Sequence, residues 1–208
     1  MWYWFGKGLC GWFFRLFGGL ESIGRENIPK TGGVIICPNH VSHVDPPAVG
    51  VGIRRQVHFM AKEELFKVPV LGYCIRKVGA FPVRRGTADR KAIKRAMDLL
   101  DEGKVVCLFP EGTRSLDGKL QEPELGVGLI ALKNGAPVVP VAVIGTDRVL
   151  PSGASRPTRH RVRVVYGAPM RFDDLSGASD RAAMEEVGRR IMAAIADLQS
   201  RYSFPNSK

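Results

Sequence analysis

The sequence predicts an α/β fold in which helices flank a mostly parallel sheet. From Gly33 onward, short apolar runs rich in β-branched residues alternate with longer amphipathic segments. Several of these runs show no polar alternation, which is typical of parallel strands that are covered on both faces. A length of 208 residues with 45% hydrophobic content fits one domain with a sizeable core.

Each element of this fold has its own signal. Five apolar runs are predicted as strands, at residues 34–37, 57–60, 105–109, 138–144 and 162–166. Three amphipathic segments are predicted as helices, at residues 88–101 with Thr87 as N-cap, 126–134 ending at Gly135, and 179–201. Proline and serine make residues 151–161 the strongest loop candidate.

The N-terminal segment is unusually aromatic. Residues 1–19 contain all three tryptophans and eight of the seventeen aromatic residues. A helix that spans a membrane needs about 20 predominantly apolar residues, whereas Lys7, Arg15 and three glycines interrupt this segment. It also lacks the basic start, unbroken apolar stretch and cleavage site of a secretory signal. We therefore expect neither a spanning helix nor a cleaved leader.

The spacing of its apolar residues instead predicts a helix that lies in the membrane interface, because tryptophan combines an apolar ring with a polar N–H. The residues expected to dock on the bilayer are Trp2, Trp4, Phe5, Trp12 and Phe13. The sequence thus divides into an interfacial docking segment, residues 1–20, and an α/β domain, residues 21–208. The alternative is a helix that covers the core of the domain.

The charge is strongly positive and unevenly distributed. The formal net charge is +11, and residues 53–95 contain twelve Lys or Arg against three Asp or Glu. Such a field attracts nucleic acid, an anionic membrane surface or phosphorylated substrates, and charge alone does not choose among them. No helix-turn-helix or RNA-binding signature is present, so nucleic acid is not an expected partner. A non-catalytic basic protein that binds membranes or nucleic acid stays open as an alternative of another class.

The four cysteines, Cys10, Cys37, Cys74 and Cys107, are widely spaced and form no CxxC pair. Three of them lie within apolar runs. This usage predicts reduced thiols in the core of a cytoplasmic protein.

A histidine and an aspartate follow the first predicted strand. Asp45 precedes a proline, so residues 40–45 are expected to form a turn before a helix that starts at Pro46. Such a turn brings Asp45 back onto His40, where the carboxylate would fix the tautomer and leave the other ring nitrogen basic. That arrangement could activate the hydroxyl of a substrate. The alternatives are an ordinary N-cap for Asp45 and a structural role for His40.

Two other chemistries fit this region less well. His40, His43, Asp45 and His58 could supply metal ligands, but they are not spaced as a recognisable metal site, so no metal is expected. Ser42 lacks the GxSxG pattern of a nucleophilic serine, so a serine hydrolase is not expected.

Two further junctions carry polar groups. Arg84 and Arg85 precede the predicted helix at 88–101, and arginine near a helix N-terminus predicts an anion site. The alternative is a solvated, basic helix start. The strand at 105–109 is followed by four polar or flexible residues, Glu111, Gly112, Thr113 and Arg114. So many polar groups at the end of a strand favour a site over a surface turn.

Together these segments resemble a known family. The blocks NHVSHVD, FPVRRG, FPEGTRS and APVVPVAV occur in this order between residues 39 and 143. They resemble the four motif blocks of the glycerolipid acyltransferase family, and most of all those of bacterial 1-acylglycerol-3-phosphate acyltransferases. Each block is weak alone, but the ordered set is highly specific.

The resemblance implies roles for the site residues. His40 would be the general base and Asp45 its partner. The contacts to the phosphate and glycerol of the acceptor would come from Arg85 and from Glu111, Gly112, Thr113 and Arg114. Residues 139–141 would form part of the wall on the acyl side. Arg84 stands where relatives often have an acid, and Glu124 where they often have a lysine.

The resemblance also implies a reaction. An acyl group would pass from acyl-CoA or an acyl carrier protein to the hydroxyl of lysophosphatidic acid, giving phosphatidic acid, without a cofactor or an acyl-enzyme. The enzyme would be peripheral or monotopic at the cytoplasmic face of the cell membrane, on an anionic surface. The same chemistry on glycerol 3-phosphate or another lysolipid is the nearest alternative.

Overall fold

The computed structural model describes residues 1–84, 86, 89–175 and 180–204. Its seven strands form one sheet: β1 Leu20–Ile23, β2 Val34–Pro38, β3 Val57–Lys62, β4 Phe81–Val83, β5 Val105–Cys107, β6 Val138–Ile144 and β7 Val162–Tyr166. The order across the sheet is β1-β7-β6-β2-β5-β3-β4, and every neighbouring pair is parallel except β6 and β7. The predicted mostly parallel sheet is confirmed.

Helices cover both faces of this sheet. They are α1 Trp2–Leu16, α2 Asp45–Gly52, α3 Leu71–Lys77, α4 Arg90–Asp101, α5 Leu125–Asn134, α6 Thr146–Val149 and α7 Arg181–Tyr202. On one face, α1 and α2 pack on β2 through Phe14, Val49 and Ile36. On the other face, α4, α5 and α7 pack through a second cluster that includes Leu99 and Ile191. The α/β class is confirmed.

All five predicted strands exist, but two short strands escape the sequence pattern. Both lie at the ends of the sheet: β1 has four residues, and β4 has three. An edge strand of this length contains no long apolar run, so hydrophobic periodicity does not reveal it. The predicted strand at 105–109 is shorter than expected and ends at Cys107.

Several helix ends also differ from prediction. The cap of α4 is Asp89, whose Oδ1 accepts from the N–H of Lys91 at 3.1 Å and of Ala92 at 3.2 Å. The predicted cap, Thr87, lies outside the described residues. Helix α2 begins at Asp45, one residue before the predicted start. Gly135 ends α5 in the left-handed region at φ 71°, as predicted, and residues 151–161 form a loop.

The cysteines are free but are not all in the core. Cys37 and Cys107 are buried, and burial raises the pKa of both thiols. Cys10 is half-buried and Cys74 is exposed on α3. The prediction of core thiols is therefore wrong for Cys74, because the short helix that carries it has only one buried position.

Helix α1 has two different sides. Tyr3 and Phe14 are buried, and the Tyr3 hydroxyl accepts from the N–H of Val57 at 3.1 Å. Phe13 is half-buried against the core. The opposite side exposes apolar residues, namely Trp2, Trp4, Phe5, Leu9, Trp12 and Leu16. The inner side thus covers the core while the outer side stays open, and within the described part of the chain no helix is long and apolar enough to cross a membrane.

Candidate active site

The candidate site lies at the carboxyl edge of the parallel strands. Ile36 of β2 pairs with Cys107 of β5, and continuing this register past the strand ends places His40 opposite Glu111. The N–H of His40 donates to Glu111 Oε1 at 2.9 Å, so the two residues do lie side by side. The first and third junctions that the sequence indicated therefore meet side by side.

The ends of two more strands, β3 and β4, lie farther along the same edge of the sheet. Continuing the β3–β5 and β3–β4 registers places Glu63 next in line and Arg84 beyond it. Arg84 Nε lies 3.8 Å from Glu63 Oε2, in agreement with this alignment. Since neighbouring strands are about 4.8 Å apart, the arginine junction is about 14 Å along the edge from His40.

His40 and Asp45 form the pair that the sequence predicted. His40 Nδ1 lies 2.7 Å from Asp45 Oδ2, and both residues are buried. Because Nδ1 faces a carboxylate, it carries the proton and donates, which leaves Nε2 as the basic nitrogen. The Phe109 ring stacks on the imidazole with 4.1 Å between the centroids and fixes its plane.

Asp45 also holds the turn that contains His40. Its Oδ2 accepts from the N–H of Val41 and of Ser42, each at 2.7 Å. One carboxylate oxygen therefore receives three donors, while the buried Oδ1 has no hydrogen-bond partner within the described structure. Position and orientation of the histidine thus depend on the same carboxylate.

Glu111 holds the histidine backbone from the loop that follows β5. Its Oε1 accepts from His40, and its Oε2 accepts from the N–H of Gln121 at 3.1 Å. The N–H of Ser115 in turn donates to the His40 carbonyl at 2.8 Å. Burial raises the pKa of Glu111, partly opposed by these hydrogen bonds. The resemblance implies a substrate contact for this residue, and the structure places its carboxylate against two backbone amides.

Asn39 is a positioning residue that the sequence analysis missed. Its side-chain amide donates to the Val143 carbonyl at 3.1 Å, and its Oδ1 accepts from the Val143 N–H at 2.7 Å. The buried side chain thereby extends the β2–β6 pairing beyond the last residue of β2. The only sequence signal was an asparagine directly before His40, and its partner lies 104 residues away.

The remaining residues of the third junction are more open. Thr113 is exposed, and Arg114 is half-buried. His43 is exposed, but partial desolvation lowers its pKa, and the positive charge of nearby Arg114 lowers it further. Gly112 has φ 65°, a region that favours glycine.

The arginine junction is described only in part. Arg84 donates its backbone N–H to Asp89 Oδ2 at 2.9 Å, so the N-cap of α4 also holds the end of β4. Arg85 lies outside the described residues. Residues 139–141 lie in the centre of β6, where Val139 and Val141 belong to the core.

The alternative chemistries receive no geometric support from the described residues, where no three His, Cys, Asp or Glu side chains converge as metal ligands would. His43 is exposed, and His58 lies near the amino end of β3, where Nδ1 is 2.9 Å from the Gly79 carbonyl. The Ser42 hydroxyl donates to the Leu150 carbonyl at 2.9 Å, which is a structural role.

An oriented, buried histidine at the carboxyl edge of an α/β sheet is the arrangement that a general base acting on a bound substrate requires. The comparison with protein families is more specific: the Acyltransferase family model matches residues 19–144. The chain therefore belongs to the Acyltransferase family. The predicted resemblance is confirmed, and the chain is an acyltransferase rather than a non-catalytic basic protein.

Named relatives agree with this assignment. The chain is 32% identical over 188 residues to the 1-acyl-sn-glycerol-3-phosphate acyltransferase of Bacillus subtilis (strain 168), covering 89% of this chain and 91% of the relative. A chloroplast enzyme of the same name from Brassica napus is 34% identical over 71% of this chain but only 44% of its own length. The crystal structure of the 1-acyl-sn-glycerophosphate acyltransferase PlsC from Thermotoga maritima superposes with a TM-score of 0.78 at 30% identity, covering 96% of this chain and 80% of that one.

Proposed function

We propose that this enzyme transfers a fatty acyl group from a thioester donor to the free hydroxyl of 1-acylglycerol 3-phosphate, giving phosphatidic acid. The observation that carries the proposal is the buried His40–Asp45 pair, with 2.7 Å between Nδ1 and Oδ2. The names of the relatives supply the acceptor, since the pair alone would act on any suitably placed hydroxyl.

In the proposed reaction, Nε2 of His40 removes the proton of the acceptor hydroxyl as its oxygen attacks the thioester carbonyl. The tetrahedral intermediate then collapses, the carbon–sulfur bond breaks, and the imidazolium returns the proton to the departing thiolate. Asp45 stabilises the imidazolium between these steps. A positioned base contributes about 10²–10⁴-fold, and no acyl-enzyme is needed because the thioester is already activated.

The acceptor phosphate is proposed to bind arginine. Arg114 is half-buried beside the histidine turn, and the guanidinium fork fits phosphate oxygens. Arg85 is proposed as the second phosphate contact, with Gly112 and Thr113 next to the glycerol. Glu111 is proposed to act by holding the backbone of His40 rather than by contacting the phosphate, since like charges repel.

The outer side of α1 is proposed to dock on the membrane. Trp12 is 63% exposed, and Trp2, Trp4 and Phe5 are exposed on the same helix. Residues 2–16 contain two basic residues and no acidic one, which suits an anionic surface. Docking on the cytoplasmic face would bring the site to its lipid acceptor.

The test is an assay of the purified protein with labelled acyl-CoA or acyl carrier protein against lysophosphatidic acid, glycerol 3-phosphate and a lysolipid without the phosphate monoester. We expect turnover with lysophosphatidic acid and none in the His40→Ala variant, while His43→Ala stays active. Equal turnover on an acceptor without a phosphate would contradict the proposed acceptor. An active His40→Ala variant would contradict the mechanism.

A further inference from the structure

A second apolar surface lies in the crossover between β3 and β4. There Val68, Val70, Leu71 and Tyr73 are exposed; these four residues are called the crossover patch. Twelve large hydrophobic side chains are exposed in the described part of the chain: seven within residues 1–16, the four of the crossover patch, and Leu116. The exposed apolar surface is thus concentrated in two segments.

The crossover patch continues the outer side of α1. The ring of Trp2 meets the ring of Tyr73 edge-on, with 6.3 Å between the centroids. Farther along α1, a Cβ built on Gly6 would lie 3.5 Å from Cγ1 of Val78, the residue that follows α3. The two segments therefore form one surface from separate parts of the chain.

The backbone at the centre of the crossover patch is strained. Val70 has φ 62° and ψ −59°, and the N–H of Leu71 donates to the Pro69 carbonyl at 2.6 Å, which closes a γ-turn of the rare positive-φ form. A β-branched residue is disfavoured there. The Val70 side chain is nevertheless 77% exposed, so packing within the protein does not compensate the strain. Strain of this kind marks ligand clamps and other functional segments.

The charge around this surface identifies what it would contact. Residues 67–77 contain Lys67, Arg76 and Lys77 and no acidic residue, and residues 2–16 likewise contain only basic charges. Lys77 Nζ lies 5.4 Å from the centre of the Tyr73 ring, so the cation borders the apolar groups directly. An apolar surface with a basic rim suits an anionic bilayer. It does not suit a second copy of the same surface, because the like charges would repel.

We propose that the crossover patch is a second membrane contact, inserting Val70 and Leu71 into the interface of an anionic bilayer beside α1. The inference rests on the proposed docking of α1 and extends it. A single interfacial helix leaves the molecule free to rotate about the helix axis, whereas a second contact fixes the orientation.

The first test measures binding to vesicles made of equal parts phosphatidylglycerol and phosphatidylcholine. We expect V70D/L71D to lower the partition coefficient about tenfold or more, since it replaces two apolar side chains and adds two negative charges. The matched control is A193D/A196D, which adds the same charge at exposed positions of α7, on the opposite face of the sheet. The control should bind as the unaltered protein does.

The outcomes separate this inference from the proposed function. Loss of binding in Trp12→Asp together with normal binding of V70D/L71D would overturn the second contact and leave docking by α1 intact. Turnover of V70D/L71D on a short-chain, water-soluble acceptor should stay within about twofold of the unaltered enzyme, because the base is untouched. A change in the monomer–dimer equilibrium of V70D/L71D without a change in vesicle binding would make the patch a protein interface.

A second test reports insertion directly. All three tryptophans lie within residues 1–12, so W2F/W4F/W12F removes the native indole fluorescence. In that background, L71W should show a blue-shifted emission and quenching by brominated lipid at saturating vesicle concentration, whereas A193W should show neither. Equal quenching of the two probes, or none of L71W, would overturn the proposal.

Discussion

Replacing Asp45 with asparagine should separate the chemistry of the histidine pair from the fold. The carboxylate Oδ2 accepts from His40 Nδ1, from Val41 N–H and from Ser42 N–H, each at 2.7 Å. The side-chain oxygen of an asparagine in the same place can still accept hydrogen bonds from these three donors, so the turn can form. Alanine would leave all three donors unsatisfied in a buried site, which makes it the poorer probe.

The structural cost of Asp45→Asn can be estimated from these contacts. A hydrogen bond to a charged group stabilises by about 1.5–3 kcal/mol and a neutral one by about 0.5–1.5, so three weakened bonds cost about 3 kcal/mol. The amide nitrogen then occupies the position of Oδ1, which is buried without a partner in the described structure, at a cost of about 1–3 kcal/mol. The sum is about 4–6 kcal/mol, against a typical domain stability of about 5–15 kcal/mol.

The catalytic cost should be larger than any effect of reduced folding. Without the carboxylate, the imidazolium that forms during turnover loses its neutralising partner, so kcat should fall about 10²–10⁴-fold. The assay is kcat at saturating acceptor, alongside a urea titration that gives the folded fraction. Asp117→Asn is the matched control, because exposed Asp117 also accepts from a backbone amide, the N–H of Lys119 at 3.1 Å. Retention of more than about a third of kcat in folded Asp45→Asn, against that expected loss, would refute the role of the pair.

Three further outcomes are expected. Arg114→Ala should raise the acceptor KM about tenfold or more with a smaller change in kcat, because arginine pairs with the phosphate rather than with the reacting carbon. As a control, Lys119→Ala in the same loop should leave the acceptor KM unchanged. Glu111→Gln should lower both kcat and the free energy of unfolding, the latter by about 1–3 kcal/mol, because an NH₂ group replaces one oxygen that accepts a backbone N–H; an unaltered urea midpoint would contradict this. Burial lowers the pKa of His58 in the folded protein. Below about pH 6.5 the unfolded chain therefore binds more protons than the folded protein does, so the free energy of unfolding should fall as the pH drops through that range. In urea titrations, the free energy of unfolding of His58→Gln should depend less on pH than that of the unaltered protein.

The local sequence is sufficient to predict an element when that element carries its own hydrophobic pattern. The strand at 138–144 was predicted with correct bounds because its apolar run is continuous and bounded by loops. The three-residue β4 could not be found in this way, since its existence depends on pairing with β3, two elements earlier in the chain. The prediction that Cys74 lies in the core is wrong for a related reason. The exposure of a residue on a short helix depends on how that helix packs against the rest of the protein.

In the candidate site too, local features could be predicted from the sequence, whereas contacts between distant parts of the chain could not. The turn that joins His40 to Asp45 spans five residues and was predictable from the proline that follows it. The contact between His40 and Glu111 spans 71 residues, and it arises only when β2 and β5 pair in one register. Sequence could therefore indicate which junctions carry polar groups. It could not show that one junction holds the backbone of the other.

The way His40 is held explains why several polar groups gather at one junction without all touching substrate. Its ring is fixed by Asp45 on one edge and by Phe109 on one face, and its backbone is bonded to Glu111 and Ser115 of the neighbouring loop. A general base must be held within a fraction of an ångström to act on a hydroxyl. Because the lipid acceptor brings a long, flexible chain, rigidity has to come from the protein. The contacts from the loop after β5 supply part of this rigidity.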